Sequence, residues 1–209
     1  MADRFAGYDV LAGRDTPSWN PATRKAIDRR LALQVPDGVL APAQLATLHK
    51  VLHRLCPDPP GRPATTTLAM VVHKIADDTG DGYRHHSLPR TRECWTRGLD
   101  ALEAEARARY GVAFAALTGE NADIVLRLVS QGDVRAREWR DLPPKLFWSW
   151  RLLPDCIAAH WAQPSLWSAM GFGGPAAPRG YVRTGIDRRD PWEAIEAGEP
   201  LKGLPRHRG

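Results

Sequence analysis

Apolar residues in this chain recur at intervals of three and four, and alternation with a period of two is nearly absent. That spacing puts apolar side chains on one stripe of a helix, whereas on a strand it would scatter them over both faces. Proline and glycine then mark where each helix stops. Asn20 is placed to cap a first helix, with Pro21 at its first position, running to Leu33. A second spans Pro42 to Leu55, with Leu45, Leu48, Leu52 and Leu55 on one face, and ends in the stiff loop Cys56-Pro-Asp-Pro-Pro-Gly-Arg-Pro63. Thr67 is read as the cap of a third, whose face is Leu68, Val71, Val72 and Ile75. The longest runs from Pro89 to Tyr110 with Trp95, Leu99, Leu102 and Ala106 inward and Gly111 as its C-terminal cap. Thr118 caps the next, with Ile124, Val125 and Leu128 inward. Pro143-Pro144 opens an apolar segment to Trp161 that Pro154 must kink or split, and a short helix follows at Ser165–Met170. The expectation is an all-α protein of about six to eight helices in one compact domain.

A second feature interrupts that pattern. Trp167-Ser-Ala-Met-Gly-Phe-Gly-Gly-Pro-Ala-Ala-Pro-Arg-Gly-Tyr181 holds four glycines, two prolines and three aromatics. Proline and glycine exclude a regular helix there, yet Trp167, Met170, Phe172 and Tyr181 are too apolar for a solvated linker. The tract is expected to be an ordered loop, its rings anchored on the protein's own core or on a partner. Residues 1–19 read as an irregular arm with Phe5, Tyr8 and Trp19 as anchors, and the tail after Trp192 as polar and loose.

At 209 residues the chain needs no disulfide staple, because a compact chain of this size buries roughly 70% of its unfolded surface. Cys56, Cys94 and Cys156 are dispersed and odd in number, which argues for reduced, partly buried thiols. The net charge of +5 is spread along the chain, so it suits a solvated surface. No apolar run reaches the roughly 20 residues of a membrane span, and no signal peptide is visible, so the expected location is the cytoplasm.

Catalytic and metal patterns are weak. His49 and His53 stand four apart, a spacing that can serve one metal, but at 100° per residue they fall on the polar flank of their helix and no third ligand follows. Asp77-Asp-Thr-Gly-Asp-Gly82 begins like a calcium loop, yet Leu88 stands where the bidentate Glu belongs. His85-His86 lacks a paired acid or nucleophile. Gly171 and Gly173 lack both the third glycine and the preceding strand of a dinucleotide loop. There is no nucleophile elbow and no Cys-x-x-Cys-His. Eight tryptophans are many for this length, and Phe147-Trp148-Ser-Trp150 places bulky rings on more than one side of its helix. Tryptophan is enriched at interface hot spots, so a partner surface is expected here.

Several segments in order resemble the gluconate 2-dehydrogenase subunit 3 family: Leu40-Ala-Pro-Ala-Gln-Leu-Ala-Thr-Leu, Leu55-Cys-Pro-Asp-Pro, Gly80-Asp-Gly-Tyr-Arg84, the stretch from Trp95 to Arg107, Tyr110-Gly-Val-Ala-Phe-Ala-Ala-Leu117 and Trp167-Ser-Ala-Met-Gly-Phe-Gly-Gly-Pro175. The resemblance implies an all-helical, non-catalytic small subunit. Such a subunit binds a large flavoprotein of the glucose-methanol-choline oxidoreductase type and assists its folding, maturation or export. FAD would lie in that partner, with none in this chain, and a cytochrome c subunit is a further possible member. Many members carry an N-terminal twin-arginine signal; none is visible here, and export with the partner to the periplasm is the alternative to a cytoplasmic location. On this reading Trp148, Trp150, Trp167, Phe172 and Tyr181 anchor the contact, while Gly171, Gly173 and Gly174 let backbone approach closely. The expected organisation is an arm and first helix over 1–39, the small-subunit domain over 40–182 and an extension over 183–209. Two other classes stay open: an independent or metal-dependent enzyme using His49, His53, His85 and His86, and a nucleic-acid module using Arg24, Lys25, Arg29 and Arg30.

Overall fold

A computed structural model describes residues 3–80, 82, 84–176, 180 and 194–195. The described residues form helices, tight turns and loops, with no strand among them. In chain order the helices are α1 (Pro21–Leu31), α2 (Pro42–Leu55), α3 (Thr67–Asp77), α4 (Thr91–Tyr110), α5 (Gly119–Gln131), α6 (Pro144–Phe147), α7 (Leu153–Trp161) and α8 (Pro164–Ala169). The all-α expectation is met. The notional tail beyond Trp192 falls almost wholly outside the described residues. None of the described helices is long and apolar enough to cross a membrane.

Local chemistry explains most boundaries. The Asn20 carboxamide oxygen accepts from the Thr23 amide, and α1 ends two residues earlier than periodicity suggested. The Gln44 side chain reaches back to the Ala41 amide at the start of α2. Thr118 caps α5 by accepting from the Asn121 amide, and Gly111 and Gly132 close α4 and α5 in the left-handed conformation, at φ of 72° and 77°. The third helix corrects one expectation: Thr66 occupies the cap position and makes no side-chain cap bond, while Thr67 is the first helical residue. Thr67 is buried, with its hydroxyl 3.3 Å from Nδ1 of His160. A second correction concerns α5. Its buried face is Ala122, Val125, Leu126 and Val129, and Ile124 and Leu128 are only half-buried.

The chain divides into two units. The larger contains residues 32–57 and 65–162. Within it α4 is central, packing against α2, α3, α5 and α6. Its predicted stripe of Trp95, Leu99, Leu102 and Ala106 is fully buried. Phe147 packs edge-on against Trp95, with ring centroids 5.9 Å apart, and lies over Gly98. The carboxylate of Glu105, also fully buried, accepts from the amides of Arg135 and Ala136 and pairs with Arg109, tying the loop after α5 to α4. The smaller unit combines residues 1–31, 58–64 and 163–209. Its core is Val10, Trp19 and Ile27, with Tyr8, Leu11 and Trp167 packed on it.

Candidate partner-binding site

In the smaller unit, α8 ends in a fully formed C-terminal cap that accounts for the start of the glycine-rich tract. The Phe172 amide donates to the Trp167 carbonyl at 2.9 Å, and the Gly171 amide to the Ser168 carbonyl at 3.3 Å. This is the paired closure of a Schellman motif, and it demands a left-handed residue between, supplied by Gly171 at φ of 71°. Such caps join an apolar pair across the turn. Here that pair is Trp167 and Phe172, edge to face at 5.9 Å and 84°. The Arg30 guanidinium lies over the Trp167 ring at 5.8 Å.

The tract is then pinned by the N-terminal arm. A β-carbon at Gly171 would lie 2.6 Å from the Phe5 ring, and one at Gly174 2.6 Å from a Val10 methyl. The Ser168 hydroxyl donates to the Pro164 carbonyl and accepts from the Val10 amide, and the Tyr8 hydroxyl donates to the Phe172 carbonyl. Arg62 holds the arm's own turn, donating to the carbonyls of Phe5 and Tyr8 and to Asp3. The close backbone approach expected at Gly171 and Gly174 is therefore an approach by this chain's own arm. What remains outward is Met170, 49% exposed, and Phe172, 40% exposed. Gly173 lies in the loop between them and Gly174, and Tyr181 falls outside the described residues.

The larger unit carries the other predicted tryptophans. Pro154 has no amide hydrogen and its ring collides with the carbonyl four residues back. The helix meets this by widening: residues Trp148–Leu152 form a π-helical turn, in which the Leu153 amide reaches the Trp148 carbonyl. The segment is thus split as Pro154 predicted. The turn sends Arg151 and Leu152 inward and Trp150 outward. Trp148 is half-buried against the core. Behind the turn Asp155, 2% exposed, accepts from Lys74 Nζ at 2.7 Å and from Trp95 Nε1 at 2.9 Å, with Arg151 at 3.4 Å. The carboxylate is buried with donors from α3, α4 and its own segment, as a buried charge requires. Sequence reading missed Arg151 and Asp155; the signal available was that they are the only charges between residues 146 and 162, spaced i and i+4.

The histidine pattern does not converge. His49 and His53 are exposed on α2. His85 packs edge-on against Trp150 at 5.4 Å and stacks on His86, and its Nδ1 accepts from the Ser87 amide. Among the described residues no group of three or more His, Cys, Asp or Glu is placed to hold a metal. Of the basic side chains on α1, Arg24 pairs with Asp15 and Arg30 covers Trp167, leaving Lys25 and Arg29 outward. All three cysteines are buried free thiols. Burial pushes Cys56 and Cys94 up to about 11 and raises Cys156 well above the ordinary thiol range, so none is a ready nucleophile.

The family model described as gluconate 2-dehydrogenase subunit 3 matches residues 42–174. No curated protein matches the chain, and no solved structure does.

Proposed function

The chain belongs to the gluconate 2-dehydrogenase subunit 3 family, and on that premise we propose that it is the small, non-catalytic subunit of an FAD-dependent sugar or alcohol dehydrogenase. It binds a large flavoprotein of the glucose-methanol-choline oxidoreductase type and stabilises it during folding, maturation or export. FAD and the reacting groups reside in that partner, and a cytochrome c subunit completes the complex where electrons pass onward.

The observation that carries this reading is where the chain spends its polar and apolar groups. Its buried charged side chains are consumed in holding helices together: Asp155 joins α3, α4 and the bent segment, and Glu105 joins α4 to the following loop. Its large apolar side chains, by contrast, are left in part on the surface, with Trp150, Trp161, Met170 and Phe172 each at least 38% exposed. Exposed aromatics beside a rigid scaffold suit protein recognition, where buried Trp and its neighbours dominate affinity.

The test is affinity purification of the tagged chain from its native host at moderate salt, followed by an absorbance scan of the eluate. A co-eluting large subunit with oxidised-flavin bands is the expected result. A colourless, monomeric chain would overturn the proposal. Phe172→Ala should then weaken association with unchanged helical circular dichroism; full association, or global unfolding, removes Phe172 from the contact.

A further inference from the structure

We infer that a cavity of about 500 Å³ in the smaller unit receives a lysine side chain carried on a loop of the flavoprotein subunit, its ammonium group meeting the Asp9 carboxylate. This rests on the subunit reading above and adds to it a pocket and the chemistry of its occupant. The cavity opens between the N-terminal arm, the end of α1, residues 61–64 and the start of α8. Binding clefts commonly hold about 300–1,000 Å³. Its walls are largely apolar. Leu11, Leu31, Pro63 and Pro164 line it, and Leu31, the last residue of α1, is left 40% exposed.

Charge selects the occupant. Among the described residues three ionised side chains line the cavity: Asp3, Asp9 and Arg62. Arg62 is spent, because it pairs with Asp3 at 2.7 Å and donates to the carbonyls of Phe5 and Tyr8. Asp9 has no such cation. Its Oδ1 accepts from the Leu11 amide at 3.0 Å, with the Ser168 hydroxyl at 3.5 Å, and its Oδ2 meets no donor among the described residues. The other charges described in this unit stand outside the lining. Arg4 lies over the Phe5 ring and Arg30 over Trp167, Arg14 and Arg24 face Asp15 and Asp28, and Lys25, Arg29 and Asp58 complete the set. The cavity therefore carries one uncompensated negative charge on apolar walls. That charge repels phosphates, acidic lipids and nucleic acids, and it calls for a cation.

The form of the site narrows the cation. One free carboxylate oxygen offers a single acceptor, which suits the point charge of an ammonium group. The guanidinium fork of arginine is matched by two acceptors in parallel. Lysine also brings an aliphatic stem that lies along apolar walls while its head reaches the charge. A free small cation fits less well, since a small ligand is oriented by several placed polar groups. Here Arg62 and Ser168 are already engaged with the chain itself. A protein loop needs only one polar contact inside the cavity, because the surrounding surface supplies the rest of its affinity. Met170 and Phe172, outward on the same unit, offer such a surface.

The test removes the charge and keeps the shape. Asp9→Asn leaves an oxygen to cap the Leu11 amide but carries no charge, and Leu31→Lys sets a like charge beside the guest. Wild type, both variants and the control Asp37→Asn, an exposed acid of the larger unit, are tagged, captured from the native host and checked by circular dichroism and thermal melting. Flavin absorbance of the immobilised complex is then followed under flow. Wild type and Asp37→Asn should hold the flavoprotein, and from Asp9→Asn and Leu31→Lys it should wash off roughly 10-fold faster at unchanged fold. Should Leu31→Lys melt early, Asp9→Asn decides. Carbodiimide cross-linking of the wild-type complex should join Asp9 to a lysine of the large subunit. Equal wash-off from both folded variants overturns the inference and leaves the subunit reading intact. A cross-link from Asp9 to a lysine of this chain, its own or a second copy's, overturns it too. Wild type without flavoprotein overturns both.

Discussion

At the scale of single residues, the tightest constraint is Gly98. It lies in the interior of the longest helix, where glycine weakens the backbone, and a β-carbon there would come within 2.2 Å of the Phe147 ring. Alanine has higher helix propensity, so propensity alone predicts that Gly98→Ala stabilises. Packing wins, because Phe147 is itself wedged between Trp95 and Trp139 and has nowhere to move. Gly98→Ala should cost about 1–3 kcal/mol, read as a lower denaturant midpoint at unchanged slope. The cysteines make a second residue-scale prediction. Cys56 and Cys94 are raised from 9.0 to about 11 by burial, so above pH 9 the unfolded chain releases thiol protons that the folded chain keeps. Their contribution to stability is whole below pH 9 and is lost as pH rises towards 11. A Cys56→Ala, Cys94→Ala double variant should therefore show a shallower fall in melting temperature across that interval than wild type. An equal fall would place the effect elsewhere.

At the scale of elements, the bent segment shows local and tertiary causes acting together. Pro154 makes a break inevitable, but proline does not say whether the helix ends, kinks or widens. The widening is decided by what sits behind it. In the π-helical turn both Arg151 and Leu152 face inward and are buried in the core. Asp155 is the latch. Asp155→Ala leaves Lys74 and Arg151 facing a site with no carboxylate, and removing one partner from a buried ionic cluster costs about 3–5 kcal/mol. Hydrogen exchange should then speed up most at residues 148–161; loss confined to other helices would refute the latch. Helix α5 gives the opposite lesson. Its periodicity marked the helix correctly but allowed more than one choice of buried face, and contacts with α2, α4 and α6 chose Ala122, Val125, Leu126 and Val129.

At the scale of the molecule, the smaller unit is assembled from three separated stretches of chain. The N-terminal arm and the glycine-rich tract are 158 residues apart where the Val10 amide meets the Ser168 hydroxyl. Each stretch is held through the other: Tyr8 and Val10 of the arm bond to Phe172 and Ser168, and the Phe5 ring rests on Gly171. Replacing Phe5 by Ala removes the ring that rests on Gly171. Limited proteolysis of Phe5→Ala should cut faster within residues 170–176, with the helices of the larger unit left whole. Unchanged cleavage would mean the arm does not hold the tract.

By itself the amino-acid order determined where the helices lie, because periodicity, caps and proline stops act over a few residues and carry their signal locally. The all-α class, the stripe of α4, the caps at Asn20, Thr118 and Gly111 and the break near Pro154 were all legible for that reason. The family, too, was legible in ordered short motifs. Only the tertiary structure decided which way each aromatic faces and what each glycine makes room for. Gly98 admits Phe147 and Gly171 admits Phe5 across long stretches of sequence, and no local rule links those pairs. Trp150 and Trp161 stay outward while Trp95 is sealed because the interior of the larger unit is already filled by residues from six helices. Burial is a competition for a finite close-packed volume, and its outcome is settled by the whole set of side chains at once.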